Sequence, residues 1–585
     1  MTATPLAGLD ESQLQAATVL RGPLCVLAGA GTGKTRVITH RIAHGVDTGA
    51  YSPSRVMAVT FTTKAAGELR GRLRALGVPG VAARTFHAAA LAQLNFFWPQ
   101  LAGGSAPSIV NGKVRALAHA VDTLGFDPGP AALRDVAAEI EWRKVTMRSI
   151  EEYAAARPRG VAGLDLEQVI DIQRAYEKLK DERHQLDFED VLLACAGMIE
   201  AEPHVAAAVR EQYRHFTVDE FQDVSPVQNR LLELWLGERR DLCVVGDASQ
   251  TVYSFAGADP QFLLGFADRH PDARVVRLDR NYRSDAAVLA VANDLMRDRP
   301  GALTLVAASG AEPGPQPTVT TYPHDGAEAA GVARAIAAQI AAGTDPHDIA
   351  VLYRTNSQSA PLLAALAERQ IAATVLGGKR FFDLPEVRQA LLELRAATVA
   401  PLETSFLPTV RDILRRSGLT DEAPPAGGAV RDAWEARAAI LRLAEEAPAG
   451  TTLRAFTDDL LARAKDQHEP SLRTVTLATL HAAKGLEWHH VHLVGLAEGL
   501  LPISYATTPE TIDEERRLAY VGITRAARTL SLSWARGTGQ RERQISRFVR
   551  EIGNGSLRVA DARATSGGRA ARGSSPSATR SPAGR

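Results

Sequence analysis

Hydrophobic residues in this chain fall in short runs rather than long spans. Five β-branched runs come first: LCVLAG (24–29), RVMAVTF (55–61), HFTVDEF (215–221), DLCVVGD (241–247) and ARVVRLD (273–279). Four more follow at DIAVLYRT (348–355), TVTLATLH (474–481), HHVHLVGL (489–496) and TLSLSWA (529–535). Nearly continuous apolar strands, bounded by turn residues and alternating with helical patterns, predict parallel sheets covered on both faces. Each group is interrupted by a stretch of helical periodicity alone, at about 90–190 (VAAEIEWRKV, DIQRAYEKLKDER) and about 380–470 (PEVRQALLELRAA, DAWEARAAILRLAEEA). The economical reading is an α/β protein of two domains, each carrying an inserted helical domain.

Composition changes this picture little. At 585 residues the chain exceeds one hydrophobic core, and 45% hydrophobic with 23% charged residues is ordinary for a soluble globular protein. Lys+Arg and Asp+Glu balance at 67 each, which excludes a uniformly basic coat and leaves room for a local basic groove. The three cysteines, Cys25, Cys195 and Cys243, have no paired spacing and are read as reduced core thiols. The N-terminal MTATPLAGLDESQ has neither a basic start nor an apolar core, and no stretch nears the roughly 20 apolar residues of a membrane span. A cytoplasmic location is expected. The last 25 residues carry five Arg against one Asp and no large apolar side chain. A solvated disordered tail is expected there, with weak phosphate-backbone contact by its arginines as the alternative.

Candidate chemistry starts where strand LCVLAG runs into AGAGTGKT and then the helical TRVITHRIAHG. Glycines at 29, 31 and 33, preceded by Ala28 and separated by Ala30 and Thr32, let backbone N–H groups converge on phosphate oxygens. The helix N-terminus adds its partial positive charge. Lys34 would reach the β/γ-phosphates and Thr35 would ligate Mg²⁺. Ala28 stands where the strict pattern has its first Gly, an outer position where a methyl is tolerable. These residues predict ATP-type nucleotide binding; binding alone does not choose among kinases, transporters, GTPases and motors.

Hydrolysis chemistry is written next to it. Strand HFTV ends in Asp219 and Glu220. Asp219 would hold Mg²⁺ through its water shell, and Glu220 would act as general base on the attacking water. Gln250, at the end of VVGDASQ, is placed to orient that water or sense the γ-phosphate. Arg283 in LDRNYRS and Arg525 in YVGITRA follow the second group of strands or its helices. They would therefore face the nucleotide from the other α/β domain, coupling hydrolysis to domain closure.

In chain order the blocks LDESQLQAA, LAGAGTGKT, AVTFTTKAA, TFHA, DFEDVLL, VDEFQD, VVGDASQTVYSFAGA, LDRNYRS, AVLYRTNSQS, LATLHAAKGLEW and DEERRLAYVGITRA resemble superfamily 1A DNA helicases of the UvrD/Rep/PcrA type, over roughly residues 9–550. The resemblance implies two RecA-like motor domains (1–90 with 190–275, and 276–379 with 472–552), helical insertions at 91–189 and 380–471, and a disordered basic tail at 553–585. It implies an ATP- and Mg²⁺-dependent 3′→5′ helicase on single-stranded DNA and ss/ds junctions, serving repair or replication restart. Gln13 would read the adenine edge, Tyr282 and Arg36 sandwich the base, and Glu487 meet the ribose. Thr60, Phe61, His87, Tyr253 and Phe255 would line the DNA path, with Arg354, Asn356, Thr479 and His481 on the second motor domain. Stacking on aromatic faces suits a sequence-blind motor; core packing is the alternative for Phe61, Phe255 and His87.

Three departures from the family pattern stand out. Ala256 replaces an Arg, and Phe255 replaces a Trp, in YSFAGA; Leu384 replaces a polar or basic residue in FFDLPEV. Only about 80–90 residues separate FFDLPEV from TVTLATLH, a short second insertion. The layout resembles a UvrD paralogue branch whose core precedes an HRDC domain, and nothing ordered is expected after SRFVREIG. The short insertion keeps a second function open: a DNA-stimulated ATPase that translocates and displaces proteins while unwinding poorly alone.

Overall fold

The computed structural model describes residues 5–126, 128–308, 314–376, 382, 384–398, 405–422, 429–445, 447–448, 450–466, 473–537, 542–553 and 555–561. The chain packs as two units, one made of Met1–Gly314, Ala483–Glu487 and Tyr505–Arg528, the other of Pro315–Ala482, Trp488–Ser504 and Thr529–Arg585.

The first unit is built on a sheet of β1 (Leu24–Ala28), β2 (Val56–Thr60), β3 (Ala82–Thr85), β6 (His215–Val218), β7 (Leu242–Gly246) and β8 (Arg274–Leu278). Their order is β3-β2-β6-β7-β1-β8 and every pairing is parallel. β2, β6 and β7 are buried at every position, which is why they read as unbroken apolar runs. One face packs Val26, Ala58 and Val245 under Val37, Ile42, Leu69 and Leu73. The other packs Val59, Val218 and Val244 under Leu192, Ile199, Leu231 and Trp235. β8, at the edge, buries only Val276 and Leu278.

Between β3 and β6 the chain is mostly helical and has its own core of Leu117, Val136, Ile140, Tyr153, Ile172 and Tyr176. Two strands also occur there, β4 (Ser108–Ile109) and β5 (Gln185–Leu186), pairing in parallel. The expectation of helix alone over 90–190 is corrected accordingly; two-residue strands leave no periodicity to read. β9 (Arg280–Asn281) and β10 (Val306–Ala307) form a second small ladder.

The second unit holds β11 (Thr318–His324), β12 (Ile349–Tyr353), β13 (Ala373–Val375), β14 (Val475–Thr479), β15 (Trp488–Leu493), all but the first three residues of β16 (Ala526–Gly537) and β17 (Arg558–Asp561), in the order β13-β14-β12-β15-β16-β11-β17. Val332, Ile336, Val351, Leu362 and Leu477 make its core. The helices Pro385–Ala397, Phe406–Arg416, Ala429–Glu445 and Leu453–Asp466 form a separate core around Val387, Leu394, Ile413, Ile440 and Leu460.

One expectation changes here. β17 follows SRFVREIG and pairs with β11 in register from Thr318↔Arg558 to Thr321↔Asp561, so ordered chain continues past 553. The tail beyond 561 lies outside the described residues. Residues 276–314 are grouped by their contacts with the first unit. All three cysteines are buried and unpaired, and burial pushes the thiols of Cys25 and Cys195 up to about 12. No single described helix is long and apolar enough to cross a membrane.

Candidate nucleotide and nucleic-acid site

β1 ends at Ala28, and the loop to helix Lys34–Asp47 turns on Gly31 and Gly33, at φ 68° and 84°. A Cβ on Gly31 would sit 2.5 Å from Asn281 Nδ2, so side-chain-free backbone is required there. Asn281 is the residue that sequence reasoning missed. Buried behind the loop, it donates to the Ala30 carbonyl (2.6 Å) and accepts from the N–H groups of Arg283 (2.8 Å) and Ser284 (2.7 Å). The Tyr282 N–H donates to the Gly31 carbonyl at 2.9 Å. Thr32 is tied to the Gly29 carbonyl by its hydroxyl (2.8 Å), while Lys34 Nζ lies 3.5 Å from the Ala28 carbonyl. Thr35 is half-buried in the first turn of the helix.

The loop's outer rim gathers three expected base contacts. Gln13, in the capping box of helix Glu11–Thr18, is buried and donates from Nε2 to the Thr32 carbonyl at 3.0 Å. Arg36 donates to the Gly8 carbonyl (2.7 Å). Tyr282 is half exposed, its hydroxyl bonded to Asp10.

β6 delivers the carboxylates. Glu220 adopts φ 52°, ψ 41°, a left-handed conformation costing a non-glycine residue of order 1–3 kcal/mol, so the surroundings must hold it. They do: Gln222, fully buried, donates to Glu220 Oε2 (2.5 Å) and accepts from the Asp247 N–H (3.0 Å). Burial, then the neighbouring Glu220 charge, pushes the Asp219 carboxyl up to about 7. Against the cost of burial, the ammonium groups of Lys34 and Lys484 and the Gln222 bond hold Glu220 down at about 2, the ionised form a base needs. Among the described residues no group of three or more His, Cys, Asp or Glu converges on a metal position. The oxygen donors Thr35 and Asp219 fit a hard divalent cation that takes its remaining ligands from phosphates and water.

Gln250 is buried, donates to Asp247 Oδ2 (2.7 Å) and accepts from Arg525 Nη2 (3.3 Å). Arg525 is also buried, its Nε on the Val521 carbonyl (2.9 Å) and its Nη1 on the Leu486 carbonyl (3.0 Å). Burial, with Arg283 nearby, lowers it to about 9, still cationic at neutral pH. A buried guanidinium whose direct partners are neutral oxygens is poised for an anion. Arg283 ion-pairs with Glu487 at 2.5 Å, so Glu487 meets an arginine here. Both arginines and Glu487 lie in the same unit as the phosphate loop.

A cavity of about 240 Å³ in the first unit brings together Thr60, Phe61, His87 and Tyr253, four of the expected DNA-path residues. Phe61 is 42% exposed and stacks on Tyr253 at 5.3 Å between ring centroids, which argues against a core role. Burial, then Lys113, lowers the His87 pKa, so its ring is neutral at pH 7. Phe255 lies in the turn Ser254–Ala256, with its side chain outside the described residues. Asp223, another lining residue, ion-pairs with Lys484, which also donates to the Gln250 carbonyl (2.7 Å) and lies 5.0 Å over the Tyr253 ring. Lys484, in HAAKGLEW, thus touches both the cavity and the hydrolytic cluster; sequence reading missed it too.

In the second unit, Arg354 and Asn356 follow β12, while Thr479 ends β14 and His481 follows it; Tyr353 pairs with Thr479, so all four sit at adjacent strand ends. Gln358 organises that turn, its Oε1 accepting from the N–H groups of Arg354 (3.0 Å) and Thr355 (2.9 Å). Gln358→Leu is expected to weaken single-stranded DNA binding about tenfold, whereas Gln358→Glu, which keeps the acceptor, loses much less, as read by fluorescence anisotropy.

Comparison with known proteins adds three relatives and two family models. The model for the UvrD/REP helicase N-terminal domain matches residues 9–271, and that for the UvrD-like helicase C-terminal domain matches 276–418 and 438–537. The chain is 45% identical to the ATP-dependent DNA helicase UvrD2 of Mycobacterium tuberculosis over 573 residues, covering 94% of this chain and 82% of that protein. It is 28% identical to the ATP-dependent DNA helicase PcrA of Bacillus subtilis (91% and 83% covered) and 29% identical to the ATP-dependent DNA helicase Rep of Escherichia coli (93% and 94% covered).

Proposed function

Because the chain belongs to the UvrD/Rep helicase family, we propose that it moves 3′→5′ on single-stranded DNA by hydrolysing ATP and opens the duplex at ss/ds junctions. It is an ATP-dependent DNA helicase; the direction of travel, the junction preference and a role in repair or replication restart are the parts proposed. A cytoplasmic location goes with that reading. The observation that carries the catalytic part is the cluster of Lys34, Glu220, Gln250 and Arg525, in which a base held ionised and a buried cationic guanidinium share one glutamine-linked network.

In this reading the loop backbone and Lys34 hold the phosphates, Glu220 takes the proton of the attacking water, and Gln250 positions that water. Arg525 and Arg283 meet the charge that develops on the γ-phosphoryl. Mg²⁺, held by Thr35 and Asp219, would supply charge neutralisation at the phosphates. Gln13, Arg36 and Tyr282 take the base. On the DNA side, Phe61 and Tyr253 offer exposed rings to passing bases, and Arg354, Asn356, Thr479 and His481 serve the backbone from the second unit. The Asp223–Lys484 pair supplies a route by which DNA in the cavity would alter the hydrolytic cluster.

Duplexes with a 3′ or a 5′ single-stranded tail test the proposal. Unwinding from the 3′ tail alone is expected. Unwinding from the 5′ tail would overturn the polarity, and ATP-driven movement without unwinding would identify a translocase that displaces proteins. Phe61→Ala is expected to lower DNA-stimulated hydrolysis at least fivefold while basal hydrolysis changes less than twofold, losing about one stacking contact of roughly 1–3 kcal/mol. Equal losses in both activities would mark Phe61 as a packing residue.

A further inference from the structure

The edge of the six-stranded sheet opposite the phosphate loop carries a second concentration of charge. Arg21 shortly precedes β1, Arg55 immediately precedes β2, Arg214 immediately precedes β6, and Arg239 lies just before β7. Because these strands are parallel, residues at their amino-terminal ends gather on one edge. The four arginines line one open cavity of about 530 Å³, together with Ser52, His215 and Asp241.

The charges there do not cancel. Asp241 accepts from Arg21 (2.8 Å) and from the Gly22 N–H (2.8 Å). Glu211, which is not part of the lining, accepts from Arg55 (2.6 Å) and Arg214 (2.7 Å). Arg239 reaches only the carbonyls of Arg210 and Tyr213, with no carboxylate partner among the described residues. Four guanidiniums thus face two carboxylates, and Arg55, Arg214 and Arg239 each keep donors unused. His215 adds an independent sign. It is 7% exposed, its ring tilted against Tyr51 at 4.2 Å between centroids, and its Nδ1 makes no hydrogen bond among the described residues, with Asp241 Oδ2 lying 3.5 Å away. Buried polar atoms are seldom left so, and this one belongs to a residue lining the cavity.

We propose that this cavity binds a compact polyphosphate anion of the pyrophosphate or triphosphate class, at a site separate from the phosphate loop. Guanidinium forks match phosphate oxygens in pairs, and a concave cluster with two excess positive charges suits a small multiply charged anion. An extended nucleic-acid backbone or acidic peptide would instead call for a stripe of basic residues. The two sites lie at opposite ends of five-residue strands, roughly 17 Å of β-structure apart, so one anion cannot serve both.

Equilibrium dialysis of radiolabelled pyrophosphate at 0.15 M NaCl, with the full chain carrying Lys34→Ala to weaken the phosphate loop, tests this. Saturable binding of one pyrophosphate per chain is expected. Adding Arg21→Gln and Arg214→Gln, two half-exposed positions, should weaken it at least tenfold, while Arg21→Lys with Arg214→Lys should retain more of it. Basal ATP hydrolysis of the Arg21→Gln/Arg214→Gln chain with Lys34 intact should be unchanged. No saturable binding, or binding indifferent to the arginine substitutions, would overturn the proposal. So would displacement of pyrophosphate by a short duplex DNA or a poly-glutamate peptide at equal charge concentration, which would assign the cavity to a macromolecule.

Discussion

Glu220→Gln is expected to bind ATP within about twofold of the unsubstituted chain and to turn it over at least a hundredfold more slowly. The amide keeps the size and the hydrogen bond with Gln222 but cannot take a proton from water. A hundredfold loss corresponds to roughly 2.7 kcal/mol of transition-state stabilisation. Since Glu220 is held down at about 2, the unsubstituted base stays ionised over the whole neutral range, and hydrolysis should show no acidic limb from this group above about pH 4. Fluorescent-nucleotide titration beside steady-state hydrolysis separates the two effects. Near-normal turnover would remove Glu220 from its role.

Arg525→Lys should be as severe for a different reason. Arginines that meet a developing γ-phosphoryl charge are worth about 10³–10⁵ in rate. Lysine keeps the charge but cannot bridge the Val521 and Leu486 carbonyls while also reaching Gln250. A fall in kcat of roughly 10³ with the KM for ATP changed less than threefold is the expected pattern, in the presence of single-stranded DNA. A raised KM with intact kcat would instead assign Arg525 to ground-state binding.

The sequence foretold most where one residue type is forced by one physical need. The run from Leu24 to Thr35 could be read because a buried strand, a glycine turn and a helix start each leave a local mark. Asp219 and Glu220 stood out because two acids ending an apolar strand are hard to explain otherwise. The misses are of another kind. Asn281 and Gln222 work through buried hydrogen bonds to backbone distant in sequence, and an Asn or Gln gives no local sign of such partners. Lys484 looks like any helix-flanking lysine until Asp223 is seen beside it. β13 and β17 escaped for being short or partly polar, and β11 for burying only Val319 in a run that is otherwise mostly Thr, Tyr, Pro and His.

The burial of Cys25, Cys195 and Cys243 has a practical side. Thiols raised this far present almost no thiolate at neutral pH, and a maleimide or iodoacetamide has no path to them in the folded chain. The natural protein is therefore close to silent toward thiol-directed dyes. A fluorophore pair could be attached at two introduced surface cysteines without first stripping the native ones, and the core would keep its original packing while single molecules are followed along DNA.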